Sequence, residues 1–404
     1  MLSKVNYTTM RCCFSSKRLY LDCSRYNCIV VHSKIQKRKY SDSSKEPSVS
    51  KLLKEAASFN TSDSSEWSTS PYPVTADNDK PKPKKNFIDP TDTSIILFPG
   101  QGIINVGDAK KYLRFPRVKD LYEIASSVLG YDLLKLSLKG PQNLLDRTEF
   151  NQPATVVLSL AALEKLQEER PKAFESCVAT AGYSVGELTA LIFSGALTYE
   201  EGLKLVKARA VAMQSATEMS NQGMLSCICT PSANVSLICK EAEKWAMDIG
   251  ASEPICRVAI YLYTQMKVIG GCNEALQYIE KNSRNLGLRK VSRLPVSGAF
   301  HTSLMEPALK SFVKALNNTP LNSPNTTVYS NFSGKVFSTN PSQMKKQIIK
   351  QIISPVKWEQ IMQTMYSRPP GTEFPRTFDV GSKGMLKTIL KNINAKAIDE
   401  CHVY

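Results

Sequence analysis

The sequence predicts an α/β fold: a large domain built on a mainly parallel sheet, with a small inserted βαββαβ domain. Three patterns predict it. Short apolar runs such as Ile95-Ile96-Leu97 alternate with helical periods, which is the rhythm of a parallel sheet covered by helices. The pentapeptide Gly182-Tyr183-Ser184-Val185-Gly186 joins a run of small and β-favouring residues to a helical one. Between 222 and 293 the rhythm changes to βαββαβ, the ferredoxin-like pattern.

Taken in order, 95–98 reads as a buried strand, 118–128 as a helix, and a further helix follows Pro153. Residues 177–181 form the strand before the pentapeptide, 187–191 a helix after it, and 200–219 a long helix. The insert reads as strand 224–229, helix 235–247, strands 256–260 and 266–269, helix 274–282 and strand 288–292. This divides the folded part into a large domain at 93–221 and 294–404 and a small one at 222–293, with the active site in the cleft between them.

The pentapeptide has the spacing of a nucleophile elbow, where glycines let strand and helix backbones approach and the turn presents one hydroxyl. The Val185 amide, at the start of the new helix, points to where an oxyanion would form. A serine hydroxyl is a weak nucleophile near neutrality and needs a base. Of the three histidines, His32 lies in the N-terminal leader and His402 is third from the end. His301, in Gly298-Ala299-Phe300-His301-Thr302, is therefore the candidate within the folded part. Phe98-Pro99-Gly100-Gln101-Gly102 follows the first strand; either its amides complete an oxyanion hole with Val185 or it is a plain Pro-Gly turn. On the 200–219 helix, Leu203, Val206, Ala210 and Met213 form an apolar stripe and Arg209 falls at its edge. From there its guanidinium either grips a carboxylate through two parallel hydrogen bonds or snorkels outward beside Lys204 and Lys207.

These signatures, in this order and together with Asn151-Gln152-Pro153-Ala154 and Pro355-Val356-Lys357-Trp358, resemble the malonyl-CoA:acyl carrier protein transacylases. The form Val296-Ser297-Gly298-Ala299-Phe300-His301 is similar to that of the animal mitochondrial branch, and the likeness runs from about Thr93 to near the C-terminus. It implies a large α/β-hydrolase-like domain and an [acyl-carrier-protein] S-malonyltransferase. Malonyl would pass from malonyl-CoA, through an ester on Ser184, to the phosphopantetheine thiol of mitochondrial acyl carrier protein, supplying type II fatty acid synthesis. The same resemblance makes His301 the base, Arg209 the malonate-binding residue and the Gln101 and Val185 amides the oxyanion hole. It makes the Gln351 main-chain carbonyl the group that orients His301, so that no acidic third member is required, and it puts Phe300 and Met213 in the acyl pocket. No bound cofactor or metal is implied, and the enzyme is expected to be a monomer. The chain departs from the family at Tyr183, where histidine is usual, at 258–263, where bacterial members carry polar residues, and at Gly381-Ser382-Lys383-Gly384, where a Gly-Pro-Gly loop is usual.

Up to Tyr40 there are nine Lys or Arg against the single acid Asp22, with serines and tyrosines between them, which is the composition of a mitochondrial transit peptide at 1–40. The expected location is the mitochondrial matrix. Residues 41–92, rich in Ser, Pro, Asp and Lys without period, read as a disordered linker. The leader holds half of the formal +16, and the moderately basic remainder suits an acidic carrier and the phosphates of CoA rather than nucleic acid. Lys383, Lys387 and Lys391, spaced by four, are expected to form one stripe on the last helix for such docking. Seven cysteines outside the leader lack metal spacing and are expected to be reduced, and no apolar run approaches the roughly 18 residues of a membrane span. Two other functions share some of these features: a serine esterase or thioesterase, which has the elbow but needs an acid behind its histidine, and a non-catalytic acyl-carrier-binding protein.

Overall fold

Ser94–Phe98 is the first strand, β1, and all five of its residues are buried. A strand covered on both faces reads as one continuous apolar run, which is why Ile95 to Phe98 shows no alternation. The computed structural model describes residues 89–369 and 371–404; the expected leader, and the expected linker as far as 88, lie outside the described residues. The last linker residues are ordered instead of irregular: the Asp89 carboxylate accepts the Thr91 N–H at 2.9 Å and caps a 3₁₀ turn, Pro90–Asp92, leading into β1.

The large sheet contains, in order across it, β7 (Thr327–Tyr329), β2 (Cys177–Gly182), β1, β8 (Arg376–Asp379) and β9 (Cys401–Val403). Every neighbouring pair is parallel. Helices Val118–Leu129, Thr148–Glu169, Gly186–Phe193 and Tyr199–Thr217 pack in the same apolar core. The helix expected after Pro153 starts earlier, at Thr148, and carries Pro153 inside it. Its N-terminus is held from outside, where the Gln214 side-chain oxygen accepts the Thr148 N–H at 3.1 Å, and Pro153, the sixth helical residue, lacks the N–H that would otherwise reach the Glu149 carbonyl. Asn151 and Gln152 are thereby helical and buried. His402, on the edge strand β9, stacks on Phe378 with ring centroids 5.5 Å apart.

The small sheet has the order β4 (Cys256–Tyr263), β5 (Met266–Cys272), β3 (Gln222–Cys229) and β6 (Leu288–Arg293), antiparallel throughout. Helices Val235–Asp248 and Asn273–Asn282 complete βαββαβ and share its core with Leu225, Ile238, Ile269 and Leu276. Cys227, Cys229, Cys239, Cys256 and Cys272 pack there as small apolar side chains. The sheet is stitched to the segment that precedes helix Trp358–Met365 at Val356, whose carbonyl accepts the Tyr261 N–H and whose N–H reaches the Ala259 carbonyl, both at 2.9 Å.

One surface expectation fails. The last helix is Met385–Ile393, so Lys383 precedes it, and its Nζ pairs with Asp108 at 2.5 Å. Lys387 Nζ is bound to the Cys401 carbonyl at 2.6 Å. Local contacts thus consume two of the three ammonium groups, and no free basic stripe results. Among the described residues no helix is long and apolar enough to cross a membrane.

Candidate active site

Ser184 sits where β2 turns into helix Gly186–Phe193, with a φ of +54° that an L-residue adopts only under constraint. Glycine on either side is a steric necessity. A Cβ on Gly182 would lie 1.7 Å from the Gly186 carbonyl oxygen, and one on Gly186 would lie 2.4 Å from that of Pro99. Asn331, just past β7, fixes the turn: its Oδ1 accepts the Ser184 N–H at 2.8 Å, its Nδ2 donates to the Gly182 carbonyl at 2.7 Å, and its own N–H donates to the Glu187 carboxyl.

The Ser184 Oγ and His301 Nε2 are 2.8 Å apart, and His301 Nδ1 is 2.7 Å from the Gln351 carbonyl oxygen. A carbonyl can only accept, so Nδ1 carries the hydrogen, Nε2 has the free lone pair, and the serine hydroxyl is the donor. Burial, and then the nearby Arg209 charge, push the histidine down to about 3, so it is neutral at working pH with its Nε2 lone pair free.

Arg209 is buried. Its Nη1 donates to Gln152 Oε1 at 2.6 Å, and its Nη2 to Gln351 Oε1 at 2.9 Å and, weakly, to Ser184 Oγ at 3.4 Å. The Gln351 Nε2 also donates to the Ser184 carbonyl at 2.7 Å. Burial lowers the guanidinium to about 10, which still leaves it charged near neutrality. Of the two routes open to this side chain, the inward one is taken. Glu187, in the first turn of the elbow helix, is also buried, and desolvation raises it to about 8.

The Gln101 and Val185 amides make no hydrogen bond among the described residues, while the next amide, Gly102 N–H, is anchored on Asn151 Oδ1 at 3.0 Å. Met213 Sδ lies 3.7 Å from Gln152 Nε2. Phe300 is buried beside His301, with a ring edge close to Gly298. Tyr183 packs its ring edge-on to Trp358 at 5.4 Å and so acts as a packing residue. A cavity of about 500 Å³ touches His301 and Thr302 and continues past Val258 and Tyr261, on the small sheet, to Lys240 and Arg257. Among the described residues no group of three or more His, Cys, Asp and Glu side chains is placed to hold a metal ion.

The sequence-predicted Ser184, His301, Arg209 and Gln351 therefore meet within hydrogen-bond reach, and such a cluster can perform acyl transfer through serine on a substrate bearing a carboxylate. Sequence reasoning missed Asn331 and the roles of Gln152 and Glu187. Gln152 left a trace within the Asn151-Gln152-Pro153-Ala154 signature, and Glu187 as the one charge in the otherwise apolar or small Gly186–Phe193 helix.

The acyl transferase domain family matches residues 117–372. A Drosophila melanogaster protein described as a probable mitochondrial malonyl-CoA-acyl carrier protein transacylase is 47% identical, over 77% of this chain and 82% of its own. The Homo sapiens mitochondrial malonyl-CoA-acyl carrier protein transacylase is also 47% identical, over 76% and 79%. The chain belongs to the malonyl-CoA:acyl carrier protein transacylase family. A solved structure of the transacylase from Coxiella burnetii superposes with a TM-score of 0.69 at 28% identity, covering 78% of this chain and 95% of that one. In the present transacylase the departure at 258–263 lies within strand β4, with Val258, Ala259, Ile260 and Leu262 buried. The departure at 381–384 keeps a tight loop through positive φ at Gly381, Lys383 and Gly384.

Proposed function

We propose that this transacylase carries malonyl from malonyl-CoA to the phosphopantetheine thiol of acyl carrier protein, through an ester on Ser184, in the mitochondrial matrix for type II fatty acid synthesis. The observation that carries this reading is the meeting of nucleophile, neutral base and cation at one oxygen: Ser184 Oγ lies 2.8 Å from His301 Nε2 and 3.4 Å from Arg209 Nη2. The names of the Drosophila and human relatives support the substrate, the carrier and the mitochondrial setting.

The Ser184 hydroxyl gives its proton to His301 Nε2 as Oγ attacks the thioester carbonyl. The Gln101 and Val185 amides receive the oxyanion. As the carbonyl re-forms, the C–S bond breaks and the CoA sulfur takes the proton from His301. The malonyl carboxylate rests on Arg209, which holds the ester in place of water. The carrier thiol then gives its proton to His301 and attacks the ester, and Ser184 recovers its hydrogen. Behind His301 stands the Gln351 carbonyl and no acid, which favours this reading over a hydrolase triad.

Initial-rate kinetics with malonyl-CoA and holo carrier test the two-step scheme. Parallel double-reciprocal lines are expected. Converging lines would mean direct transfer within a ternary complex, and the ester on Ser184 would not be an obligatory intermediate.

A further inference from the structure

Arg209 can only donate, so the Gln152 side-chain oxygen must be the atom facing it at 2.6 Å. That fixes the amide, and its Nε2 then donates to Gln101 Oε1 at 2.9 Å. Gln152 is fully buried, and its other Nε2 neighbour is only the weakly accepting Met213 sulfur. One amide thus joins the guanidinium to the residue whose backbone N–H is proposed to hold the oxyanion.

A second feature points the same way. Both side-chain oxygens that hold Arg209 at normal hydrogen-bond length, those of Gln152 and Gln351, belong to neutral amides. They orient the guanidinium without cancelling its charge. Glu187 acts on Arg209 only through space, and one of its carboxyl oxygens has no partner. A buried cation without an ion pair is costly to keep, and a substrate carboxylate is the group that would relieve it.

We propose that Gln152 is a positioning residue that sets the preference for a carboxylate-bearing acyl group, by leaving the charge of Arg209 uncancelled and by tying that guanidinium to the Gln101 loop. The inference rests on the transfer reading above and goes beyond it, since occupancy by malonyl would be communicated to the oxyanion site through one side chain.

The test compares acyl-enzyme formation from malonyl-CoA and from acetyl-CoA in wild type, Gln152→Glu and Gln152→Leu. Gln152→Glu keeps shape and an oxygen toward Arg209 but neutralises it, so malonyl loading is expected to fall roughly a hundredfold and acetyl loading far less. Gln152→Leu is expected to lower the malonyl-to-acetyl ratio roughly tenfold. In an Arg209→Ala background, Gln152→Glu should affect the two acyl groups alike. If Gln152→Glu keeps the wild-type ratio, or lowers both rates equally in the presence of Arg209, Gln152 is merely structural and the proposal is wrong. Wild type that loads neither group overturns the transfer reading and this inference with it, whereas wild type that prefers malonyl beside an equally selective Gln152→Glu overturns this inference alone.

Discussion

Ser184 donates its amide hydrogen to Asn331 Oδ1 at 2.8 Å, although the two residues are 147 positions apart. The bond withdraws the nucleophile's own amide from any oxyanion and leaves that task to amides on either side of the site. It also braces a residue held at a φ of +54°. Because the same side chain holds the Gly182 carbonyl, one buried asparagine spans both sides of the turn.

Asn331→Ala leaves the Ser184 N–H and the Gly182 carbonyl without those partners in the interior. Each orphaned group costs about 1–3 kcal/mol, so the variant should lose about 2–6 kcal/mol in urea unfolding and acylate more slowly, with the Michaelis constant for malonyl-CoA little changed. An unchanged acylation rate would mean that the turn keeps its shape without the asparagine.

The pH profile should lack an ordinary histidine limb. His301 acts as a base only when neutral, and burial with the Arg209 charge lowers it from 6.5 to about 3. The second-order rate of malonyl loading, measured by rapid pH jump, is expected to stay level from pH 8 to below pH 5. A midpoint near 6.5 would contradict the buried, neutral base. The stability sign follows: this depressed group favours the fold above pH 6.5, and its contribution is lost as pH falls toward 3, because the unfolded chain takes up a proton that the folded one refuses.

Glu187 has the opposite sign. Desolvation raises it from 4.5 to about 8, so between those values the folded chain holds a proton that the unfolded chain has released. Its contribution is complete below pH 4.5 and disappears as pH rises through 8. Glu187→Gln removes the titration and keeps an oxygen for the Asn331 N–H, so the difference in Tm between variant and wild type should move in the variant's favour from pH 5 to pH 8. A difference independent of pH would show that the carboxyl is already ionised in the fold.

Much of this architecture was legible because it rests on local patterns. Ile95 to Phe98 announces a doubly covered strand, the glycines around Ser184 announce the elbow, and the scarcity of histidine leaves His301. The 222–293 rhythm gives the elements of the small sheet. Asn331 was hidden because it follows a strand of three residues, and its bonds reach Ser184, Gly182 and Glu187 across more than 140 positions. Pro153 misled for a physical reason: proline marks a helix start, but here Gln214 secures an earlier one and Gln152 is carried inward as a result. The lysine spacing misled because period alone does not reveal that Asp108 and the Cys401 carbonyl take two of the amines.

Intact-mass spectrometry after brief exposure to malonyl-CoA tests the central claim most directly, with wild type, Ser184→Ala and Arg209→Ala side by side. The account predicts a malonyl adduct on wild type, none on Ser184→Ala, and loading at least roughly tenfold slower on Arg209→Ala, as expected for loss of a charge-assisted pair. An adduct that persists in Ser184→Ala, or folded wild type that acquires none, would contradict it.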